Sequence, residues 1–416
     1  MNVHDSEKIS GVLTNEGYSQ AESIKDSDLL IFNTCSIRQK AEQKFFSDLG
    51  RVKTLKRKKP NLKIAVAGCI AQQMGEQIFK RAPYVDFVFG PQNIHRITDL
   101  VERRSSGIAN DDNPDIADAD LPVLREEKGR AWVSIMYGCN NFCSYCIVPY
   151  TRGEEKSRPA RNILKEIEEL SSKGFREVTL LGQNVNSYLS DINFAGLLRE
   201  INSISGIERI RFVTSHPRDL SKELISAIAT LEKVCEHIHL PLQSGSDRIL
   251  EQMNRGYTYR DYREKVNSLR NSIAGVSITT DIIAGFPGET EDDHVTTINA
   301  LKDIEFDGIF AFKFSPRQGT RAAVMDNQVE DEVKSARLSE ILQLQDRITL
   351  KSNKCLENSV QEVFVEGSSG TDKHIITGRT RSNKIVNFKG KSDVDMKLVD
   401  VKILRARKHS LEGEAL

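Results

Sequence analysis

The rhythm of apolar and polar positions divides the chain into three stretches. Up to about residue 104, helical and strand patterns alternate, with a helix expected over 5–16 and apolar strands near 29–33, 64–68 and 87–90. That alternation belongs to a small α/β layer domain. It opens on a helix, so the strand that should come first is absent from the pattern. From Ala131 to about Pro316 a strand-then-helix unit recurs six times, with strands near 132–137, 178–182, 210–214, 237–240, 277–284 and 309–314 and amphipathic helices such as 161–173 and 259–272 between them. Units of this kind with right-handed crossovers close most of a barrel and bring chemistry to the C-terminal strand ends, so an open, partial (β/α)6 barrel is expected. A long helix over 331–350 then leads into short alternating runs at 360–365, 374–377 and 384–388, the pattern of a small all-β barrel. The fold class is therefore α/β with a C-terminal all-β module.

Composition narrows the setting. Of 416 residues, 38% are hydrophobic and 28% charged, with no apolar run approaching a membrane span. Residues 1–8 are polar and acidic where a secretory leader needs a basic start and an apolar stretch, which points to the cytoplasm. Seven cysteines are an odd, sparse set that argues for thiolates used as metal ligands or nucleophiles in a reducing compartment. Lys+Arg and Asp+Glu balance at 59 each, so global charge names no partner. Locally, six of the nine residues 51–59 are basic, either a phosphate-facing patch or a solvated helix end. Residues 105–120 hold five aspartates and no Lys or Arg, which reads as a flexible linker. The expected organisation is an N-terminal domain over 1–104, an acidic linker over 105–128, the barrel with its following helix over 129–352, and the β module over 353–416.

Candidate chemistry centres on Cys139, Cys143 and Cys146, a C-x3-C-x2-C run directly after the first barrel strand. Three thiolates on one loop suit an iron–sulfur cube with one iron left to chelate S-adenosylmethionine. A zinc site would want a fourth Cys or His, yet no histidine lies between His95 and His216; a ferredoxin cluster would use four cysteines at other spacings. Later strand ends carry Gln183, Asn184, Ser215, Gly285 and Gly288, able to hydrogen-bond a ligand or let it approach the backbone, and Tyr145 lies within the triad. The Gly285–Gly288 turn equally suits a loop before a helix capped by Thr290. Cys35 and Cys69 each follow an apolar strand and would meet if those strands run parallel side by side, or else are two unrelated buried thiols. In the β module Arg379, Arg381, Lys384 and Lys389 give a basic edge that can grip nucleic acid, unless the module only buttresses the barrel.

The run Gly-Cys-Asn-Asn-Phe-Cys-Ser-Tyr-Cys-Ile-Val-Pro-Tyr-Thr-Arg-Gly-Glu-Glu (138–155), with 180–188, 239–247 and 312–316, resembles the methylthiotransferase family of radical S-adenosylmethionine enzymes over nearly the whole chain. The resemblance implies an N-terminal methylthiotransferase domain, a radical barrel and a C-terminal TRAM-like domain that grips tRNA. It also implies two 4Fe-4S clusters and S-adenosylmethionine as cofactors, a tRNA anticodon stem-loop as partner, an electron donor such as flavodoxin or ferredoxin, and a monomer without membrane contact. The activity implied is replacement of the C2 hydrogen of an isopentenyl-adenosine beside the anticodon by a methylthio group, for which the base must leave its stack. One adenosylmethionine would methylate sulfur at the auxiliary cluster, and a second would yield the hydrogen-abstracting radical. Cys139, Cys143 and Cys146 would hold the radical cluster; Cys35 and Cys69 would be two of three ligands of the auxiliary one. Rival readings are the relative acting on threonylcarbamoyl-adenosine of tRNA, a more distant one modifying a ribosomal-protein aspartate, and a non-catalytic iron–sulfur tRNA-binding protein. In the family the third auxiliary ligand lies in a Gly-Cys-Gln-Met-Asn stretch, and this sequence starts at Met1-Asn2. The expectation is thus a start placed about ten residues, one strand, too late.

Overall fold

The computed structural model describes residues 1–35, 39–102, 107–117, 119–125, 127–369, 372, 374–389 and 396–416. The N-terminal sheet is parallel and runs in chain order: β1 (Leu29–Thr34), β2 (Lys63–Gly68), β3 (Phe87–Phe89) and β4 (Gly107–Ala109). Two apolar layers flank it. One joins Phe45, Leu49 and Val52 of helix α2 (Gln39–Lys58) to Ile64 and Val66; the other joins Ile9 and Val12 of helix α1 (Asn2–Asn15) to Ala65, Ala67 and Phe87. Alternate strand residues thus serve opposite faces, as a doubly covered sheet requires. The basic run closes α2, where Lys56 pairs with Asp86 at 2.8 Å and Lys59 with Asp28 at 2.8 Å, while Arg57 and Lys58 stay exposed.

The segment expected as a linker is a correction. Residues 103–106, 118 and 126 lie outside the described residues, but the rest is packed. β4 extends the N-terminal sheet, Ile116 and Ala117 are buried against Tyr137, and Leu124 N–H donates to Glu7 O at 3.0 Å. Arg125 reaches Glu166 at 2.6 Å. Gly11 is required here, because a Cβ would stand 2.3 Å from Pro122 O. Three strand residues and scattered apolar positions among aspartates are too short a signal to separate from a linker.

The barrel follows the sequence closely. β5 (Arg130–Ser134), β8 (Glu177–Leu181) and β9 (Arg209–Phe212) form one parallel sheet; β10 (His237–His239), β11 (Ser277–Ala284) and β12 (Gly308–Lys313) form a second. Among the described residues an isolated parallel bridge, Ile210 to Val234, links β9 to the segment that leads into β10. A short antiparallel ribbon, β6 (Met136–Tyr137) with β7 (Lys156–Ser157), brackets the cysteine loop. Outward strand residues such as Val178, Leu180, Ile210, Ile238 and Ile282 pack under the helices in one core. The opposite, inward positions carry Trp132, Thr179, Arg209, Arg211, His239 and Asp281, so the interior is polar where a closed eight-stranded barrel would be filled with branched apolar side chains.

Helix Asp331–Lys354 leads into a closed five-stranded barrel: β13 (Val360–Ser368), β14 (Ile375–Thr380), β15 (Ile385–Lys389), β16 (Leu398–Ala406) and β17 (Leu411–Ala415), in the order β13-β14-β15-β17-β16. Val363, Val365, Ile376, Val386, Phe388, Val401, Ile403 and Leu411 fill it. Among the described residues no helix is long and apolar enough to cross a membrane.

Candidate active site

The cysteine loop starts at Gly138, whose φ of 66° and lack of a Cβ let the chain pass 1.9 Å, in Cβ terms, from Glu154 O. It is strapped to the ends of the neighbouring strands. Glu155 N–H donates to Asn140 Oδ1 at 3.0 Å, and Ser187 Oγ donates to Glu155 at 2.7 Å. Arg218 donates to Asn141 Oδ1, and Ser144 donates through N–H and Oγ to the carbonyls of Met253 and Gln252 at 3.0 and 2.7 Å. Cys139 and Cys143 are buried and Cys146 half-buried. Desolvation, then the neighbouring Cys143, pushes the Cys146 thiol up to about 12, and burial raises Cys139 as well. Thiols held up by burial, as Cys139 and Cys146 are, become thiolates on binding a metal cation. Among the described residues no three His, Cys, Asp or Glu side chains gather around one metal ion; a cube, with its separate irons, asks for thiols spaced around it.

The strand ends facing this loop hold polar atoms with nothing to bond. Gln183 Nε2, Asn184 Oδ1, Ser215 Oγ and His216 Nε2 are buried, with no hydrogen-bond partner among the described residues. Asn184 is otherwise held by Asp219, to which its Nδ2 donates at 2.7 Å. His216 Nδ1 accepts from Arg218 N–H at 3.2 Å, so the ring's proton sits on Nε2. Burial, then the charges of Arg255 and Arg218, holds this ring down to about 2, so it is neutral. Thr214 and Gln243, at the third and fourth strand ends, have φ of 68° and 74°. Left-handed backbone is costly for a β-branched residue and gathers at ligand sites. Unpartnered buried polar atoms at the mouth fit a polar, zwitterionic nucleoside such as adenosylmethionine.

Tyr145 packs beside Ile283 and Phe314, its hydroxyl accepting from Arg255 at 3.4 Å. The expectation that Gly285 and Gly288 offer free backbone to a ligand is not met. Gly285 N–H donates to Glu289 at 2.9 Å, and its open face is filled by Lys334; Gly288 N–H donates to Asn327 O and its carbonyl accepts from Arg248. These glycines serve the turn, with Thr290 in a capping box with Asp293.

Thr34 pairs with Gly68 in the parallel register, so Cys35 and Cys69 follow side by side at one sheet edge. Gly68, at φ 88°, is needed there because a Cβ would lie 2.3 Å from Thr34 O. The Met1 amino group lies at the same edge: burial lowers its pKa most, Asp5 opposes this, and Cys35 and Cys69 are among the charges it feels. Asn2 Nδ2 donates to Thr34 O at 2.9 Å. From the side of the Cys139–Cys146 loop comes Arg152, buried, donating to Asp5 at 2.6 Å and Asn2 Oδ1 at 3.3 Å. Burial works against its charge, and Asp5 followed by Cys69 more than offsets this. The helix that follows Cys146 thus reaches the edge that carries Cys35 and Cys69.

Arg379, Arg381 and Lys384 are the largest correction. Arg379 pairs with Glu366 at 2.9 Å; Arg381 pairs with Glu236 at 2.7 Å and donates to the carbonyls of Glu232 and Val234; Lys384 pairs with Asp307 at 2.9 Å. Glu236 and Asp307 precede β10 and β12, so this hairpin closes the barrel end opposite the cysteines. Arg209 and Arg211 answer from β9, donating to the carbonyls of Arg379, Thr380 and Arg381 at 2.7–3.0 Å. Cations spent on internal acceptors are not available to phosphates. Sequence reasoning also missed Arg255, Tyr257 and Arg152, for which the runs 253–257 and 151–153 were the available signals.

Residues 133–301 match the Radical SAM superfamily, 1–90 the family described as Uncharacterized protein family UPF0004, and 354–416 the TRAM domain. A tRNA-2-methylthio-N(6)-dimethylallyladenosine synthase of Thermodesulfovibrio yellowstonii is 54% identical, covering 100% of this chain and 96% of that one. Those of Syntrophus aciditrophicus and Clostridium perfringens are 50% and 47% identical over 100% of this chain and 92% and 95% of theirs. Among solved structures, the radical S-adenosylmethionine methyltransferase TsrM of Kitasatospora setae, described with cobalamin and a 4Fe-4S cluster bound, aligns at TM-score 0.60 and 14% identity over 77% of this chain and 74% of that one. At that identity the likeness speaks for fold alone.

Proposed function

The chain belongs to the tRNA-2-methylthio-N(6)-dimethylallyladenosine synthase family, and from that premise we propose that it replaces the C2 hydrogen of an isopentenyl-adenosine beside a tRNA anticodon by a methylthio group. The observation that carries this reading is the set of four buried, unpartnered polar atoms at the mouth that also bears the cysteine triad. Cys139, Cys143 and Cys146 hold a 4Fe-4S cluster, which when bound supplies the electron that splits adenosylmethionine. Gln183, Asn184, Ser215 and His216 bond the nucleoside's polar ends, His216 as a neutral donor, and Tyr145 walls the site. Cys35 and Cys69 give two thiolates to an auxiliary 4Fe-4S cluster, and Arg152 fixes that edge against the radical loop.

The partner is tRNA, its reacting base turned out of the stack into the polar barrel interior. Exposed Lys389, Lys402 and Arg405 on the β module meet its phosphates. A flavodoxin- or ferredoxin-class protein supplies electrons, and the protein works in the cytoplasm as a monomer. Nucleoside mass spectrometry of tRNA from a deletion strain tests the reading. Isopentenyl-adenosine should accumulate and its 2-methylthio form vanish, with restoration by the gene; loss of a methylthiolated threonylcarbamoyl-adenosine instead would transfer the assignment to that substrate.

A further inference from the structure

Arg255 is buried, with 4% of its surface exposed. Its Nη1 donates to Cys143 Sγ at 3.2 Å and to the Tyr145 hydroxyl at 3.4 Å. The rest of the fork is held as firmly, Nε on the Tyr257 hydroxyl at 2.9 Å and Nη2 on the Pro241 carbonyl at 2.9 Å. Tyr257 is itself anchored, its hydroxyl 3.1 and 3.0 Å from the carbonyls of Pro241 and Leu242. The guanidinium therefore has one orientation, and it points at a triad sulfur.

Its partners are a sulfur, two hydroxyls and a carbonyl. Among the described residues no carboxylate forms an ion pair with it, whereas the equally buried Arg209, Arg211 and Arg337 each have a glutamate. A buried cation without an anion is strongly unfavourable. An iron–sulfur cube held by three thiolates is an anion in both of its oxidation states, and it belongs where Arg255 points.

We propose that Arg255 is the fixed counter-charge of the triad's cluster and, through its hydrogen bond to Cys143 Sγ, raises that cluster's reduction potential. The assignment rests on the triad holding a cube, as read above. On reduction one electron from an external donor enters the cube; no bond forms or breaks, and Arg255 keeps its protons. The added negative charge is stabilised by the adjacent cation and by the hydrogen bond to the ligand sulfur, two of the levers by which proteins tune such clusters. Arg255 is thus a positioning and tuning residue.

The test is a dithionite redox titration of the iron-loaded full chain, read from the paramagnetic signal of the reduced cube. Arg255→Gln should load iron and lower the reduced-to-oxidised ratio at a fixed potential at least tenfold, a fall of about 59 mV in midpoint for one electron. Arg255→Lys, which keeps the charge and loses the fork, should fall by less. An iron-loaded Arg255→Gln chain whose ratio changes less than tenfold overturns the proposal and makes Arg255 an anchor of the 253–257 turn. If that variant loads no iron, the wild-type protein decides: with arginine labelled in heavy nitrogen, pulsed spectra of the reduced cube should show coupling to the label, and its absence overturns the proposal. Only a wild-type chain that binds no cube reaches the triad reading itself, and it would overturn both.

Discussion

At the lower end of the barrel Arg130, Arg209, Arg211, Arg381 and Lys384 each reach a carboxylate or a backbone carbonyl. At the upper end Gln183 Nε2, Asn184 Oδ1, Ser215 Oγ and His216 Nε2 are equally shut away from water and bond nothing. A buried polar group without a partner costs about 1–3 kcal/mol. The cations of the lower end are therefore met from within the protein, and they hold two modules together. The upper end is complete only when a ligand brings the missing partners. Charge density alone does not separate these roles, because the basic hairpin of the β module looks like a nucleic-acid grip and is a plug.

The contrast breaks first at Arg211, whose pair with Glu177 at 2.9 Å has both side chains buried. Arg211→Ala strands a carboxylate and should cost about 3–5 kcal/mol, read as a lower urea midpoint with the cysteine triad untouched; an unchanged midpoint would deny the lower end its structural role. His216 probes the upper end through pH. Its folded pKa is held near 2 by burial and by Arg255 and Arg218, against 6.5 when free. Between those values the unfolded chain binds one more proton, so stability is lost as pH falls below 6.5, by about 1.4 kcal/mol at about pH 5.5. His216→Gln should lose less stability than wild type over that interval, and parallel pH curves would contradict the buried neutral ring.

Smaller effects sharpen the comparison. Ser215→Ala removes an orphan hydroxyl, so it should leave the unfolding midpoint unchanged or higher while weakening adenosylmethionine by about 1 kcal/mol, roughly fivefold in Kd. A lower midpoint with unchanged affinity would make Ser215 structural. Last, replacing Arg379, Arg381 and Lys384 together by glutamine should lower the unfolding midpoint yet leave the salt dependence of tRNA binding within about one phosphate contact of wild type. A flattened slope would return those cations to the nucleic acid.

What could be read from sequence follows the range of the interactions involved. Cys139, Cys143 and Cys146 lie on one loop, so spacing alone placed them, and the six barrel strands announced themselves by local apolar runs. The side-by-side placement of Cys35 and Cys69 needed only the assumption of parallel strands, which the Thr34–Gly68 register meets. The roles of Arg255 and Arg381 were opaque because Cys143 and Glu236 lie 112 and 145 positions from them. A charged residue's own neighbourhood in sequence does not say whether its partner is a thiol, a glutamate or a phosphate. β4 and the packed run around Ile116 were lost among aspartates whose composition imitates a linker.

The central claim is that the upper end, with its triad and unpartnered polar atoms, holds a reducible cluster beside adenosylmethionine. Anaerobically reconstituted, reduced protein should release 5′-deoxyadenosine from adenosylmethionine, and Cys143→Ala should bring the release to background with the fold intact. Release from Cys143→Ala at the wild-type rate, or none from an iron-loaded wild-type protein, would contradict it.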